Sequence, residues 1–180
     1  PDIMTISSST YNGIPTDSSL SRHYHLVAIK YGKNGDYDSC GHFLDKALAY
    51  NPRTDYSDTL ELMNIYISYA VMHKRMERFD KALAYYDTTL HILKNKAPHK
   101  KVRLADIYTN IANIKKQRVE YEEAENYYFN SLNLYKIAGN HEPKMAKIYN
   151  NLGSLYSLKK EYEKSIAFYK KCIALKKQHT

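Results

Sequence analysis

Histidine and cysteine are the residues of this chain whose chemistry suits a metal or redox site. His23 and His25 form a His-x-His pair, but alternate residues on one helix point about 200° apart, so the two rings cannot hold the same ion. Cys40 and Cys172 are the two cysteines, and they lack the short spacing of a metal-binding pair. We interpret the histidines as ordinary surface or boundary residues and the thiols as small buried side chains.

The short motifs that mark catalytic and cofactor sites are absent from the sequence. There is no HExxH, no CxxC pair, no glycine-rich phosphate loop and no GxSxG. We therefore predict that the chain is not an enzyme and that it uses no cofactor and no metal ion.

The charge of the chain is positive and unevenly distributed. The formal net charge is +8 and the isoelectric point is about 9.2. Residues 1–58 carry 5 basic and 7 acidic side chains, residues 59–104 carry 9 and 4, and residues 105–180 carry 13 and 8. This balance favours acidic partners, with nucleic acid as the alternative. The acidic run EYEEAE within the basic part argues against nucleic acid.

The composition indicates a helical protein of one domain. Only 6 glycines and 5 prolines occur in 180 residues, whereas there are 19 tyrosines, 4 phenylalanines and no tryptophan. A turn-rich β fold is therefore disfavoured, and many aromatic rings should lie at half-buried positions. No apolar run approaches the ~18 to 20 residues of a membrane span, and no secretion signal opens the chain. Because the sequence starts at Pro1 and not at Met, we leave the compartment open.

An internal repeat is the strongest signal in the sequence. Four segments align without gaps, with units starting at Ser21, Met63, Ala105 and Ala146 and spacings of 42, 42 and 41 residues. The fourth place of every unit is a tyrosine, followed four places later by alanine or glycine. The tyrosines are Tyr24, Tyr66, Tyr108 and Tyr149. A small residue one turn after a large one predicts a helix face that a neighbouring helix approaches closely.

The second half of each unit predicts another amphipathic helix. It opens with an aromatic residue and continues with a small residue three places later, then a large one and again a small one. In the third unit these are Tyr121, Ala124, Tyr128 and Ser131. The layout predicts eight helices, near residues 18–33, 37–50, 56–74, 78–94, 100–117, 121–138, 143–159 and 162–178.

The repeated unit resembles the tetratricopeptide repeat. YNNLGSLY followed by EYEKSIAFYKKCIAL carries the likeness best, and it extends from about Ser18 to Lys177. Lys115 and His73 depart from the family pattern, which usually has an aromatic residue or leucine there. The spacing exceeds the usual ~34 residues. In this the repeats are similar to those of kinesin light chains and of bacterial peptide-sensing regulators.

The resemblance implies an all-α fold, an α-α superhelix of four helix-turn-helix repeats over residues 17–180. Residues 1–16 are expected to form a flexible tail. No polar helix caps the last repeat, as a solenoid end usually requires. We therefore expect either that the chain is a piece of a longer protein or that the last repeat mediates self-association.

The resemblance also implies a binding groove, because in the family the first helix of each unit lines the concave face. Transferred to this sequence, the groove positions include six cations and one acid, so the groove should be positive. The implied groove residues are Arg22, His25, Lys33, Asn64, Lys74, Arg75, Asp106, Asn110, Asn113, Lys116, Lys147, Asn151 and Ser154. Asparagine side chains can bind both the N–H and the C=O of an extended peptide, and lysine and arginine can bind its carboxylates.

Two hypotheses for the function follow. The first is a scaffold that binds a protein or an extended, acidic peptide in this groove, as an interaction or sensory module of a larger regulatory protein. The alternative is a nucleic-acid-binding helical repeat that uses the basic later units. The sequence does not identify the partner.

Overall fold

Helices dominate the part of the chain that the computed structural model describes, residues 9–11, 14–53, 55–97, 99–139 and 141–177. Eight helices lie in these ranges, and each described bound is within two residues of its prediction. They are α1 (Ser18–Lys33), α2 (Tyr37–Tyr50), α3 (Tyr56–Arg75), α4 (Phe79–Lys96), α5 (Lys101–Gln117), α6 (Tyr121–Ile137), α7 (Glu142–Leu158) and α8 (Tyr162–Lys177). The prediction of an all-α fold of four helix pairs is confirmed.

The pairs group into two compact units. The first unit ends at Lys96 and contains α1 to α4, and the second starts at Ala97 and contains α5 to α8. In both units the two helices of a pair pack mainly against each other. The single array over residues 17–180 stays a prediction.

Two short strands precede α1. β1 (Ser9–Tyr11) and β2 (Ile14–Thr16) pair in antiparallel fashion, with Tyr11 opposite Ile14. These strands were not predicted, and the flexible tail over residues 1–16 stays a prediction; residues 1–8, 12 and 13 lie outside the described residues. The sequence signal was available, because Asn-Gly between two short extended segments favours a two-residue hairpin.

The turn inside each helix pair has the same backbone conformation. Gly35, Glu77, Val119 and Lys160 occupy the same place in the four repeats, and all have a positive φ, between 56° and 84°. The next residue donates its N–H back to the carbonyl five residues earlier, as Glu120 does to Lys115 at 2.9 Å. This left-handed ending satisfies carbonyls at the end of the first helix and reverses the chain. Glycine, which adopts it without strain, is present in the first repeat alone.

The tyrosines at the fourth place of the units occupy like environments. Tyr24, Tyr66, Tyr108 and Tyr149 are half-buried, and each packs against an aromatic ring of the paired helix. The ring centroids are 5.5 to 6.2 Å apart. The partner rings form a second repeating column that the sequence analysis overlooked: Phe43, Tyr85, Tyr127 and Phe168. We expected core residues, but these tyrosines lie at the edge of the core.

Small residues allow the helices of a pair to approach closely, as predicted. Ala28, Ala70 and Ala112 are fully buried, and at Gly153 an added Cβ would lie 2.7 Å from the ring of Tyr169. A serine hydroxyl also links the two helices of a pair. In the first repeat Ser21 Oγ donates to the Ala47 carbonyl at 2.8 Å.

The third repeat makes the equivalent bond with the two places exchanged. Ser131 Oγ, at the place of Ala47, donates to the carbonyl of Ala105, at the place of Ser21, at 2.7 Å. Either helix can therefore supply the hydroxyl.

His73 and Lys115, the two residues that depart from the family pattern, have structural roles of their own. His73 is buried and stacks on Tyr85, with the ring centroids 5.6 Å apart and the planes within 9°, so it serves as an aromatic core residue. The ammonium group of Lys115 lies at the turn and pairs with Glu120 and Glu123. These hydrogen bonds raise the pKa of Lys115.

The left-handed turn generates a stability prediction. Val119 is β-branched and exposed, and such residues strongly disfavour positive φ. We expect Val119→Gly to raise the free energy of unfolding by about 0.5 to 1 kcal/mol, since relief of strain outweighs the added chain entropy. The reverse change, Gly35→Val, should be destabilising. Urea unfolding followed by circular dichroism measures both, and a V119G variant less stable than the parent would contradict the assignment.

Two buried tyrosines at one repeat position generate a second prediction. Both are fully buried, but the Tyr86 hydroxyl has no hydrogen-bond partner in the described residues, whereas the Tyr128 hydroxyl donates to Asn113 Oδ1 at 2.6 Å. Tyr86→Phe should therefore leave stability unchanged or increase it, and Tyr128→Phe should lower it by about 0.5 to 1.5 kcal/mol. Thermal unfolding of the two variants tests this difference, and equal losses would refute it.

Candidate functional site

In the first unit, the surface between α1 and α3 contains all the predicted groove residues except Lys74. We call this surface the α1–α3 face. Its first part, a pocket, is lined by Arg22, His25, Leu26, Ile29, Glu61, Asn64, Ile67 and Ser68. The second part adjoins it through Ile29 and Ser68, and its further lining residues are Gly32, Lys33, Tyr37, Val71, Met72 and Arg75. The structure thus brings Arg22, His25 and Asn64 together, and Lys33 with Arg75.

His25 differs from the groove residue that we expected. It is buried, with its Nδ1 2.7 Å from Glu61 Oε1 and its Nε2 2.8 Å from Ser68 Oγ. Both ring nitrogens therefore have partners within the unit, and His25 links α1 to α3. Glu61 and Ser68 were not predicted from the sequence, because their role depends on the pairing of two helices.

The acidic partner of His25 has a shifted pKa. The hydrogen bond from His25 lowers the pKa of Glu61, whereas burial acts in the opposite direction, and the charges of His25 and Arg22 lower it further. Asn64 also donates to Glu61, over 3.4 Å. The carboxylate is thus held in its ionised form beside the pocket.

The other cations of this unit differ in accessibility. Arg75 is exposed and donates through Nη1 to the carbonyl of Gly32 at 3.1 Å, and Lys33 is exposed at the end of α1. Lys74 is half-buried, and burial lowers its pKa. It does not line either part of the face.

In the second unit, pairs of polar side chains connect α5 and α7. Asn151 Nδ2 donates to Asn113 Oδ1 at 3.0 Å, and one helical turn further along α5 Lys116 Nζ donates to Ser154 Oγ at 3.3 Å. Asn110 is half-buried one turn before Asn113, and Lys147 is exposed one turn before Asn151. We call the surface formed by Asn110, Asn113, Lys116, Lys147, Asn151 and Ser154 the α5–α7 face.

Asp106, the one acid among the predicted groove residues, is paired with neighbouring side chains. Lys144 Nζ lies 2.7 Å and 2.8 Å from its two carboxylate oxygens, and the Tyr135 hydroxyl also donates to it. The acid is therefore paired, and Lys144, which the sequence analysis overlooked, neutralises it. The repeat alignment could have revealed Lys144, because it lies 38 residues after Asp106, the same separation as Asn113 to Asn151.

The described residues contain no group of three or more His, Cys, Asp or Glu side chains arranged to hold a metal ion. Both cysteines are buried as free thiols. No helix in the described ranges combines the length and the apolarity that crossing a bilayer requires.

The last helix exposes an apolar stripe. Tyr162, Ile166, Tyr169 and Ile173 follow one another at helical spacing along α8, and each is at least 36% exposed. The expected self-association through this repeat stays a prediction.

The His25–Glu61 contact generates a prediction about pH. Because folding lowers the pKa of Glu61, its stabilising effect is present above the unfolded value of about 4.3 and is lost as the pH falls through the lower folded value. Glu61→Gln should cost about 1 kcal/mol at pH 7, and its deficit should shrink below about pH 4.5. Urea midpoints from pH 3 to 7 measure this effect. Glu77→Gln, at an exposed glutamate, is the control, and a deficit that persists unchanged in acid would contradict the assignment.

Known proteins share this architecture. Residues 103–178 match the model of the tetratricopeptide repeat family. The crystal structure of BtubC (BKLC) from P. vanneervenii is similar over 89% of this chain, with a TM-score of 0.78 and 26% sequence identity. The match covers 64% of the BtubC chain, so this chain spans less than two thirds of that protein.

No curated protein matches the sequence. The family match and the recurring helix pairs nevertheless agree with the predicted resemblance. Residues 103–178 thus match tetratricopeptide repeats, and the fold of this chain is similar to that of BtubC.

Proposed function

We propose that this chain is a scaffold that binds extended, acidic protein segments on the faces formed by the first helices of its repeats. Tetratricopeptide repeats generally mediate protein–protein interactions and are typically non-catalytic. The observation that carries the narrower proposal is the Asn113–Asn151 contact on the α5–α7 face.

This contact leaves N–H donors on Asn113 and an acceptor oxygen on Asn151 for a ligand. Asn113 Oδ1 already accepts from Tyr128 and Asn151, so its two lone pairs are in use, whereas its amide nitrogen makes no hydrogen bond in the described residues. Asn151 uses its nitrogen and keeps its Oδ1. An extended peptide presents C=O and N–H groups in alternation, and this pair of amides complements them. Tyr128, behind the pair, holds the orientation of Asn113.

The cations around these amides favour an acidic segment. Lys116 and Lys147 belong to the α5–α7 face, and the one acid predicted there, Asp106, is neutralised by Lys144. Burial lowers the pKa of Lys116, since its ammonium has lost part of its hydration. A carboxylate of the ligand would offset that loss through a charge-assisted hydrogen bond.

The more specific parts of the hypothesis made from the sequence are supported to different degrees. Arg22, Lys33 and Arg75 give the α1–α3 face a positive border, which agrees with an acidic partner. His25 acts in this proposal by fixing Glu61 and Ser68, and not as a ligand. The sensory or regulatory role stays a prediction, and nucleic acid enters as an outcome of the test.

The test is a titration of the full chain with a fluorescein-labelled decapeptide of glutamate, serine and glycine, which contains no apolar side chain. We expect the double variant Asn110→Ala, Asn151→Ala to weaken binding about tenfold, or about 1.4 kcal/mol, because amide contacts to the peptide backbone are lost. Fluorescence anisotropy at low salt measures the dissociation constant.

The matched control is Asn130→Ala, Asn133→Ala, which removes two exposed asparagines of α6 in the same unit. It should bind as the parent does. Equal affinity of the parent and the Asn110/Asn151 variant would refute the site. A single-stranded DNA decamer that binds more tightly than the peptide, with a steep salt dependence, would favour the alternative function.

A further inference from the structure

The α1–α3 face has an apolar middle. Leu26 is 62% exposed although it lies in a pocket, and Ile29, Ile67 and Val71 line the same surface. An exposed apolar patch with a polar border is the usual mark of a binding site.

The deeper part of this face has the size of one side chain. The space bordered by Ile29, Val71 and Met72 measures about 210 Å³. A cavity of about 150 Å³ lined by Leu, Ile and Phe is large enough to bind benzene, whereas sites for drug-sized molecules measure about 300 to 1,000 Å³. A single leucine, methionine or phenylalanine side chain therefore fits better than a whole small molecule.

Cations lie at both ends of the apolar part. Arg22 borders one end, and Lys33 and Arg75 border the other. Arg75 uses one guanidinium nitrogen for the Gly32 carbonyl and retains further N–H donors. Glu61 is the acidic residue on this face, and its carboxylate is paired with His25. The two positive ends can thus accept two carboxylates.

The distance between the ends sets the length of the ligand. Arg22 and Lys33 are eleven residues apart on α1, which corresponds to about 16 Å at ~1.5 Å per residue. In an extended chain the first and fifth residues are four steps of ~3.3 Å apart, or about 13 Å, and the long arginine and lysine side chains can cover the remaining distance. Its first, third and fifth side chains point to the same side. A ligand of this length can place both end carboxylates and the central side chain on the face together.

We propose that the α1–α3 face binds an extended segment of the pattern acidic-x-apolar-x-acidic, with the apolar side chain between Ile29 and Val71 and the two carboxylates at Arg22 and at Lys33 with Arg75. This inference rests on the proposed function and adds a recognition rule for the first unit. It identifies the partner by its chemistry: a protein segment with one apolar anchor between two acids.

The test uses three labelled heptapeptides and the full chain. The first is Gly-Asp-Ser-Leu-Ser-Asp-Gly, the second replaces the central leucine with serine, and the third replaces both aspartates with asparagine. We expect the leucine peptide to bind at least tenfold more tightly than either of the others, and its affinity to fall with salt. Anisotropy gives the affinities, and methyl NMR signals of Ile29, Val71 and Met72 should shift on binding.

Two variants separate the anchor from the charges. Val71→Trp fills the pocket and should remove the preference for leucine over serine. Lys33→Glu changes an exposed side chain, so it keeps the test valid if the first variant does not fold, and it should weaken the acidic leucine peptide about tenfold. Lys94→Glu is the matched control, because it reverses an exposed lysine in the last turn of α4 in the same unit. It should leave the affinity unchanged.

The outcomes distinguish this inference from the proposed function. Equal affinity for the leucine and serine peptides, or no saturable binding of the leucine peptide at millimolar concentration, would overturn the inference. The proposed function would then still stand if the apolar-free glutamate decapeptide binds and loses affinity in the Asn110/Asn151 variant. A leucine peptide that binds while the decapeptide does not would support the inference and refute the α5–α7 site.

Discussion

The close approach of two helices within each repeat is the contact on which both units depend. Alanine or glycine removes bulk from the first helix, and a hydroxyl-to-carbonyl hydrogen bond joins the helices at Ser21–Ala47 and Ser131–Ala105. With the backbones so near, large side chains such as Tyr86 and Tyr128 can be buried completely. The left-handed turn after each first helix fixes how the second returns. The α1–α3 face and the α5–α7 face both use first helices held in this way.

Tyrosine shapes the faces as well as the core. A phenol ring supplies apolar area, but its hydroxyl needs a partner when buried. That partner is repeatedly a polar residue of another helix: Asp45 for Tyr69, Asn113 for Tyr128, Asp106 for Tyr135 and Glu125 for Tyr156. Burial together with these acceptors raises the pKa of Tyr69, Tyr135 and Tyr156. The hydroxyls therefore help to orient acidic and amide side chains.

Sequence predicted the helices well because each depends on local spacing. The 42-residue recurrence of Tyr24 and its equivalents, together with the small residues one turn later, defined all four pairs. The prediction of the groove residues was less complete than that of the helices. Position in the repeat placed His25 and Asp106 on the faces. It could not show that Glu61 and Lys144 bind their polar groups, since those contacts join helices of different pairs. The short β hairpin was missed because a composition rich in serine and threonine was interpreted as a tail.

The Tyr128–Asn113 hydrogen bond has an optical consequence. The chain contains 19 tyrosines and no tryptophan, so its intrinsic fluorescence comes from phenol rings. The excited state of a phenol is sensitive to the acceptor on its hydroxyl, and Tyr128 is joined directly to an amide on the α5–α7 face. An occupant that draws Asn113 toward itself would lengthen that bond and change the emission. The protein therefore contains a label-free reporter connected to its own surface.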